Sequence, residues 1–318
     1  MDGPLLLNRL AFDPEGERRE LLAGLLRDPA SIPPKYFYDE LGCALYGAIC
    51  RLPEYYPTRT EVALFQARRL EIAESIGPGR QFVDLGAGDC CKAEGWLPFV
   101  EPARYLAVDI AREAIARALA RLEPEFPSVE LAGIVADFTN GLDLEADLDG
   151  RPVTFFYPGS SIGNFTPDEA GAFLARVRAH CRPRPGSGLL IGVDTKKDVA
   201  KLVPAYADPT GVTAAFNRNV LNHVNRVLGS DFRPAEWSHV GLYDPGHGRI
   251  EMHLEAISPQ SVRIDGALRA FDRGERIHTE NSYKYAPEEF ERLLRGAGFE
   301  RLRRWTDDAG AFAVFHAS

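Results

Sequence analysis

Residues 80–96 read Arg-Gln-Phe-Val-Asp-Leu-Gly-Ala-Gly-Asp-Cys-Cys-Lys-Ala-Glu-Gly-Trp, and no other stretch limits the fold as strongly. Phe82 to Leu85 is short and largely apolar with polar flanks, the pattern of a buried strand. Gly86 and Gly88 follow at once. Glycines there let the chain turn sharply and let a ligand lie against the main chain without meeting a Cβ. Lys92 to Leu97 reads as the first turns of a helix. Strand, glycine turn and helix in succession make the ligand-binding corner of an open α/β sheet.

Two nucleotide readings of this corner compete. A dinucleotide fingerprint needs G-x-G-x-x-G, with the third glycine where strand meets helix. Cys91 stands there, so the fingerprint fails. The run Asp84-Leu-Gly-Ala-Gly88 instead resembles the first motif of the Rossmann-like S-adenosylmethionine-dependent methyltransferases, with Cys90 in place of their third glycine. A plain glycine turn between strand and helix gives the same residues. The segments that follow favour the nucleotide. Tyr105 to Asp109 is a second apolar run ending in an acid, about 20 positions past the glycines, where a carboxylate accepts ribose hydroxyls. A third run, Val129 to Val135, leads into Asp137 and Phe138. An acid there can take the adenine amine while the aromatic ring packs on the base. Val153 to Tyr157 and Pro185 to Val193 are further strand candidates. Phe290 to Trp305 reads as helix, Gly298 stop and strand, and Gly310 to His316 as a closing strand.

The chain has 318 residues and a formal net charge of -9, with a mass of 35.1 kDa and a pI near 5.4. That length suits one large or two modest domains. The acidic balance argues against nonspecific nucleic-acid binding. No run of 18 apolar residues is present, so no membrane helix is expected, and the first residues lack a signal-peptide pattern. Five cysteines with no metal-ligand spacing indicate reduced cytosolic thiols. The seven histidines are scattered, with no metal site among them.

Residues 15–27 read as a helix, followed by Lys35-Tyr-Phe-Tyr-Asp39, a short helix over Cys43 to Cys50, and Leu52-Pro-Glu-Tyr-Tyr-Pro-Thr-Arg59. Two proline-flanked aromatic clusters suit a lid or wall of a binding site. They suit the packing of a helical cap equally well. Thr60 to Glu74 reads as the helix entering the core. Between Lys196 and Thr279 the strand–helix alternation breaks down. Asp198 to Tyr206 and Gly211 to Leu228 read as helices. Trp237 to Tyr243, Arg249 to Ser258 and Ser261 to Ile264 read as antiparallel strands, with Asp244-Pro-Gly-His-Gly as a hairpin turn.

Several segments, in order and over nearly the whole chain, resemble the histidine-specific N-alpha-methyltransferases of ergothioneine biosynthesis. They are Lys35-Tyr-Phe-Tyr-Asp, Arg51 to Arg59, Pro158-Gly-Ser-Ser-Ile-Gly-Asn-Phe165, Gly211 to Asn219, Arg249-Ile-Glu-Met252 and His278-Thr-Glu-Asn-Ser-Tyr-Lys284. The resemblance implies an α/β fold, a Rossmann-like class I methyltransferase core with a second α+β substrate-binding domain. Residues 1–60 form an N-terminal helical segment of the substrate domain, 61–195 the core, 196–280 the inserted substrate-binding domain, and 281–318 the C-terminal strands and helix that complete the core. It implies S-adenosylmethionine as cofactor and trimethylation of the histidine α-amine to hercynine.

Site residues follow from the same resemblance. Gly86, Lys92, Asp109, Asp137 and Phe138 match the cofactor contacts. Tyr38, Gly159 and Asn164 match the residues around the reacting amine. Tyr55, Asn164, Tyr206, Met252, Glu280 and Ser282 match the amino-acid site. Tyr55 rather than Tyr56 keeps the family spacing from Tyr38. No metal is implied. The chain is read as a cytoplasmic monomer acting on a small molecule, with no nucleic-acid or membrane partner. A relative acting on another amino acid such as a tryptophan derivative, a non-catalytic S-adenosylmethionine binder, and an NAD-dependent enzyme are the competing readings. Arg59 and Arg218 are read as ion-pair residues ahead of carboxylate ligands.

Overall fold

The computed structural model describes residues 4–9, 13–139 and 141–318. It forms two units: Met1–Ala11, Thr60–Thr195 and Tyr285–Ser318 in the first, Phe12–Arg59 and Lys196–Lys284 in the second.

The first unit is built on an eight-stranded sheet. Its order is Leu5–Asn8, Glu130–Val135, Arg104–Asp109, Gln81–Leu85, Val153–Tyr157, Gly188–Asp194, Phe312–Ala317, Leu302–Thr306. The first six are parallel. Phe312–Ala317 runs against both of its neighbours. The central strands Gln81–Leu85, Val153–Tyr157 and Gly188–Asp194 are buried along their whole length. A sheet covered on both faces needs continuous apolar runs, which is why these strands were legible. The helix Arg112–Leu122 buries Ile115, Ala118, Leu119 and Leu122, one stripe at helical spacing.

Chain order reverses between Gln81–Leu85 and Val153–Tyr157. In open α/β sheets ligands bind outside the carboxyl ends of the strands at such a point. The turn at Gly86 and the loop from Pro158 to Asn164 leave from those two ends.

The second unit holds a four-stranded sheet, Ala30–Ser31, Arg276–Tyr283, Arg249–Ala256 and Trp237–Asp244, and a separate hairpin of Gln260–Ile264 with Ala267–Phe271. Its helices are Pro14–Leu25, Glu40–Ile49, Val199–Tyr206 and Val212–Leu228. Phe37 stacks on Phe216 with centroids 4.6 Å apart. Trp237 is fully buried against Phe232 and Phe271. Asp39 caps the helix Glu40–Ile49 at the Gly42 N–H and also accepts from Asn219 Nδ2 at 2.7 Å.

The Rossmann-like core and the second α+β unit agree with expectation. Three details differ. Leu5–Asn8 pairs with Glu130–Val135, so this segment joins the core sheet instead of the helical segment expected over 1–60. The helix expected from Thr60 starts at Tyr56 and runs to Ile76. The polar stretch Arg276–Tyr283, expected to lead back to the core, is a strand of the second unit.

Candidate active site

The candidate residues fall into two groups, one in each unit. In the first unit, Gly86 and Gly88 both take left-handed backbone angles, with φ of 73° and 53°. Their turn is stitched to the next strand: the Gly86 N–H donates to Val108 O at 2.8 Å. Asp109 ends that strand, and its carboxylate accepts from the Gly88 N–H at 2.8 Å and the Ala111 N–H at 2.9 Å. The half-buried carboxylate is thus fixed in orientation while each oxygen keeps a lone pair. The Phe138 ring lies edge-on to Tyr157, and a Cβ at Gly86 would sit 3.7 Å from its Cζ. The turn and the ring are therefore close neighbours at one end of the sheet. Asp137 folds back on the N–H of Thr139 at 3.0 Å. The aromatic ring, the oriented carboxylate and the glycine turn suit a nucleoside such as that of S-adenosylmethionine.

Cys90 stands where the first motif has glycine. It nevertheless takes the glycine-like backbone, with φ of 61°, and its side chain is fully buried. Asp84 lies beneath the turn. Burial pushes its carboxyl up to about 7, against the hydrogen bond it accepts from Tyr105 Oη at 2.9 Å.

Lys92 and Gly159 are joined by a residue absent from the sequence reading. Glu61 is fully buried. One of its oxygens accepts from Lys92 Nζ at 2.7 Å and the other from the Gly159 N–H at 2.6 Å. Gly159 is left-handed, with φ of 80°, and a Cβ there would lie 2.8 Å from Lys92 Nζ. Only glycine fits. Glu61 lies three and four residues before the buried Leu64 and Phe65; a glutamate on the apolar face of a helix was the available signal. Asn164 closes the short helix Ser161–Asn164 of the same loop.

In the second unit the strand register assembles the group. Along Arg276–Tyr283 the pairing shifts between His278 and Glu280, so His278 faces His253 while Glu280 faces Met252 and Ser282 faces Ile250. This bulge at Thr279 turns Glu280 and Ser282 toward the side of Met252. Gly241 pairs with Met252 on the other flank. A Cβ at Gly241 would lie 2.8 Å from Tyr206 O, so the glycine lets the end of the helix Val199–Tyr206 rest on this face. The Tyr206 hydroxyl lies 2.8 Å from Ser282 Oγ. Tyr55 meets the Tyr206 ring edge-on at 6.0 Å. Tyr38 meets Tyr46 and Phe216 edge-on at 5.8 and 6.0 Å. Both proline-flanked aromatic clusters therefore belong to the core of this unit.

Glu280 keeps a partial solvent-accessible face, yet protein surrounds it deeply enough that desolvation pushes its carboxyl up to about 7, with Lys284 pulling the other way. Burial holds the Tyr55 and Tyr46 phenols well above their usual range, so both are neutral. Tyr56 lies elsewhere in the unit, accepting from Lys197 Nζ at 2.8 Å. Arg59 and Arg218 each donate to a backbone carbonyl, Leu52 O and Ala214 O. His253 and His278 pack edge-on at 5.2 Å, on the sheet face away from Met252. His239 was also passed over: Asn217 Nδ2 donates to its Nδ1 at 2.8 Å, leaving Nε2–H to donate to Tyr206 O at 2.7 Å. Among the described residues no cluster of three or more His, Cys, Asp or Glu is placed to hold a metal.

A family model for histidine-specific, S-adenosylmethionine-dependent methyltransferases matches residues 17–318. The chain is 40% identical over 304 residues to the histidine N-alpha-methyltransferase of Mycobacterium tuberculosis, covering 93% of each chain. It is 40% identical over 318 residues to the protein of that name from Mycolicibacterium smegmatis, covering 97% of each. Ergothioneine biosynthesis protein 1 of Neurospora crassa is 32% identical over 287 residues, which are 87% of this chain and 32% of that longer protein.

Proposed function

The chain belongs to the histidine-specific, S-adenosylmethionine-dependent methyltransferases, and from that premise we propose that it methylates the α-amine of L-histidine three times, giving the betaine hercynine as the first step of ergothioneine biosynthesis. The observation that carries the choice of substrate is the bulge at Thr279, which sets Glu280 and Ser282 beside Met252. A carboxylate accepts the imidazole N–H, a hydroxyl serves the second ring nitrogen, and a thioether walls the ring.

When bound, the cofactor supplies an electrophilic methyl group on a sulfonium. Asp109 holds its ribose diol, Phe138 packs on the adenine, Asp137 takes the adenine amine, and the glycine turn admits the chain close to the ligand. Lys92 contributes through Glu61, which ties the cofactor turn to the loop at Gly159. Transfer to nitrogen needs an oriented, unprotonated amine and little covalent chemistry, so positioning supplies most of the rate. Gly159 and Asn164 orient that amine, Tyr55 and Asn164 hold the carboxylate, and the hydrogen-bonded Tyr206–Ser282 pair lies beside the substrate. Tyr38 presents a ring face to the methylated cation as it grows. Desolvation in the site favours the neutral amine. We place the enzyme in the cytoplasm as a monomer.

The test is mass spectrometry of each of the common amino acids incubated with the protein and S-adenosylmethionine. Histidine gains three methyl groups. Methylation of a different amino acid, or none of histidine, would overturn the proposal.

A further inference from the structure

Lys284 follows Glu280 and Ser282 at intervals of two, on the same side of the chain beyond the bulge. Its side chain is almost completely buried, at 1% exposure. Its main-chain N–H donates to Gly248 O at 2.9 Å. Its Nζ donates to Tyr206 Oη at 2.8 Å and to Ser282 Oγ at 2.8 Å, and it stands 4.6 Å from the centre of the Tyr206 ring. With the 2.8 Å separation between the two hydroxyls, the three groups hydrogen-bond to one another in a triangle.

A count of protons fixes what this triangle offers. An ammonium donates and cannot accept, whereas a hydroxyl does both. Both oxygens therefore accept from Lys284. One of the two hydroxyl protons lies along the edge between Tyr206 and Ser282. The other is directed out of the triangle, whichever residue carries it. The adjacent positive charge strengthens that donor and discourages either oxygen from accepting another N–H. A pair of hydroxyls that would otherwise donate or accept becomes a donor.

We infer that Lys284 is a positioning residue that fixes the Tyr206–Ser282 pair as a hydrogen-bond donor to an acceptor atom of the amino-acid substrate. The inference rests on the reading of this unit as the amino-acid site and deepens it. Glu280 beside the triangle is an acceptor, so the face shows an acceptor and an enforced donor side by side. A neutral imidazole, with one N–H and one bare nitrogen, complements that pair. An imidazolium, with two N–H groups, meets one donor with another. The α-carboxylate of the substrate is the second possible acceptor.

The experiment compares the full-length wild-type enzyme with Lys284→Met, Lys284→Gln and Lys284→Arg. Each is assayed for cofactor affinity by calorimetry and for KM and kcat with histidine and with 3-(2-thienyl)alanine, which keeps the carboxylate and lacks ring nitrogens. Wild-type turnover of histidine tests the reading of the site separately. Lys284→Met raises KM for histidine about 10- to 100-fold, the scale of a charge-assisted hydrogen bond, with a smaller change in kcat and unaltered cofactor affinity. Lys284→Arg restores part of the loss. If the donor serves the ring nitrogen, KM for thienylalanine stays at its wild-type value; if it serves the carboxylate, both substrates lose equally. Lys284→Gln keeps two N–H donors without the charge, and stands in where Lys284→Met does not fold, with an intermediate rise in KM. A folded Lys284→Met or Lys284→Gln with wild-type KM for histidine, or a loss shared equally by cofactor affinity, overturns the inference.

Discussion

Glu280 faces Met252 across the sheet, and it does so because the strand gains one residue at Thr279. Without that residue the alternation would carry Glu280 to the face occupied by His253 and His278. A register slip of one residue exchanges the two faces of a strand, so one extra position decides whether the carboxylate reaches the Met252 side. Thr279 is itself anchored, its hydroxyl lying 2.8 Å from Asn217 Oδ1 and 3.0 Å from Met252 O.

Asp109→Ala tests the cofactor side. The carboxylate is fixed by the Gly88 and Ala111 N–H groups, and its free lone pairs are assigned to the ribose. Loss of hydrogen bonds to a charged group weakens S-adenosylmethionine binding by about 1.5–3 kcal/mol. Calorimetry on the folded variant checks it, and unchanged affinity would remove Asp109 from the site.

Glu61 holds Lys92 and the Gly159 N–H together. Glu61→Ala leaves that half-buried N–H without its acceptor, costing about 1–3 kcal/mol of stability. The figure stays below the range for a broken buried ion pair because the Lys92 side chain is 36% exposed and can turn to water. Glu61→Gln keeps an acceptor for Gly159 and loses about 1 kcal/mol. Urea denaturation of the three proteins distinguishes them; equal stability of all three would contradict the hub.

The core strands were legible because burial on both faces demands apolar runs, and the turn was legible because its backbone demands glycine. The strand Arg276–Tyr283 was not. Its residues are mostly polar, and the bulge interrupts the alternation that would mark a strand. Glu61, Lys284 and His239 were hidden for a related reason. A charged or polar residue reads as solvated until its partner is known, and those partners lie 98, 78 and 33 positions away. Cys90 differs again: it breaks the glycine pattern in sequence while keeping the glycine conformation in space.

Asp84 gives a pH dependence. Its carboxyl is buried and raised to about 7 in the folded protein, from an ordinary 3.8. The folded state thus favours the protonated acid. That stabilisation is complete below the unfolded pKa and is lost as pH rises from about 4 through 7. Asp84→Asn keeps an acceptor for Tyr105 Oη and does not titrate. Its stability relative to wild type should therefore climb by something on the order of 3 kcal/mol between pH 4 and pH 8, then level off. A constant difference across that range would contradict the shift.

The proposed amine site is aromatic and uncharged, and ring faces favour an alkylated ammonium over a strongly hydrated bare one. Monomethyl- and dimethylhistidine should each be consumed as substrates, and the trimethylated betaine should be the end product with cofactor in excess. Mass spectrometry over a time course reads this. Accumulation of monomethylhistidine as the final species would refute it.

The account stands or falls on Glu280 as the reader of imidazole. A site with buried polar groups rejects analogues that leave them unpaired. Glu280→Ala should weaken histidine binding by about 2–3 kcal/mol, leave cofactor affinity nearly unchanged, and relax discrimination against larger aromatic amino acids. The direct measurement is a competition between histidine and tryptophan for wild-type and Glu280→Ala enzyme, with both products quantified by mass spectrometry. The account predicts a strong preference for histidine in the wild type and a sharply reduced one in the variant. An undiminished preference in the variant would show that Glu280 does not read the ring.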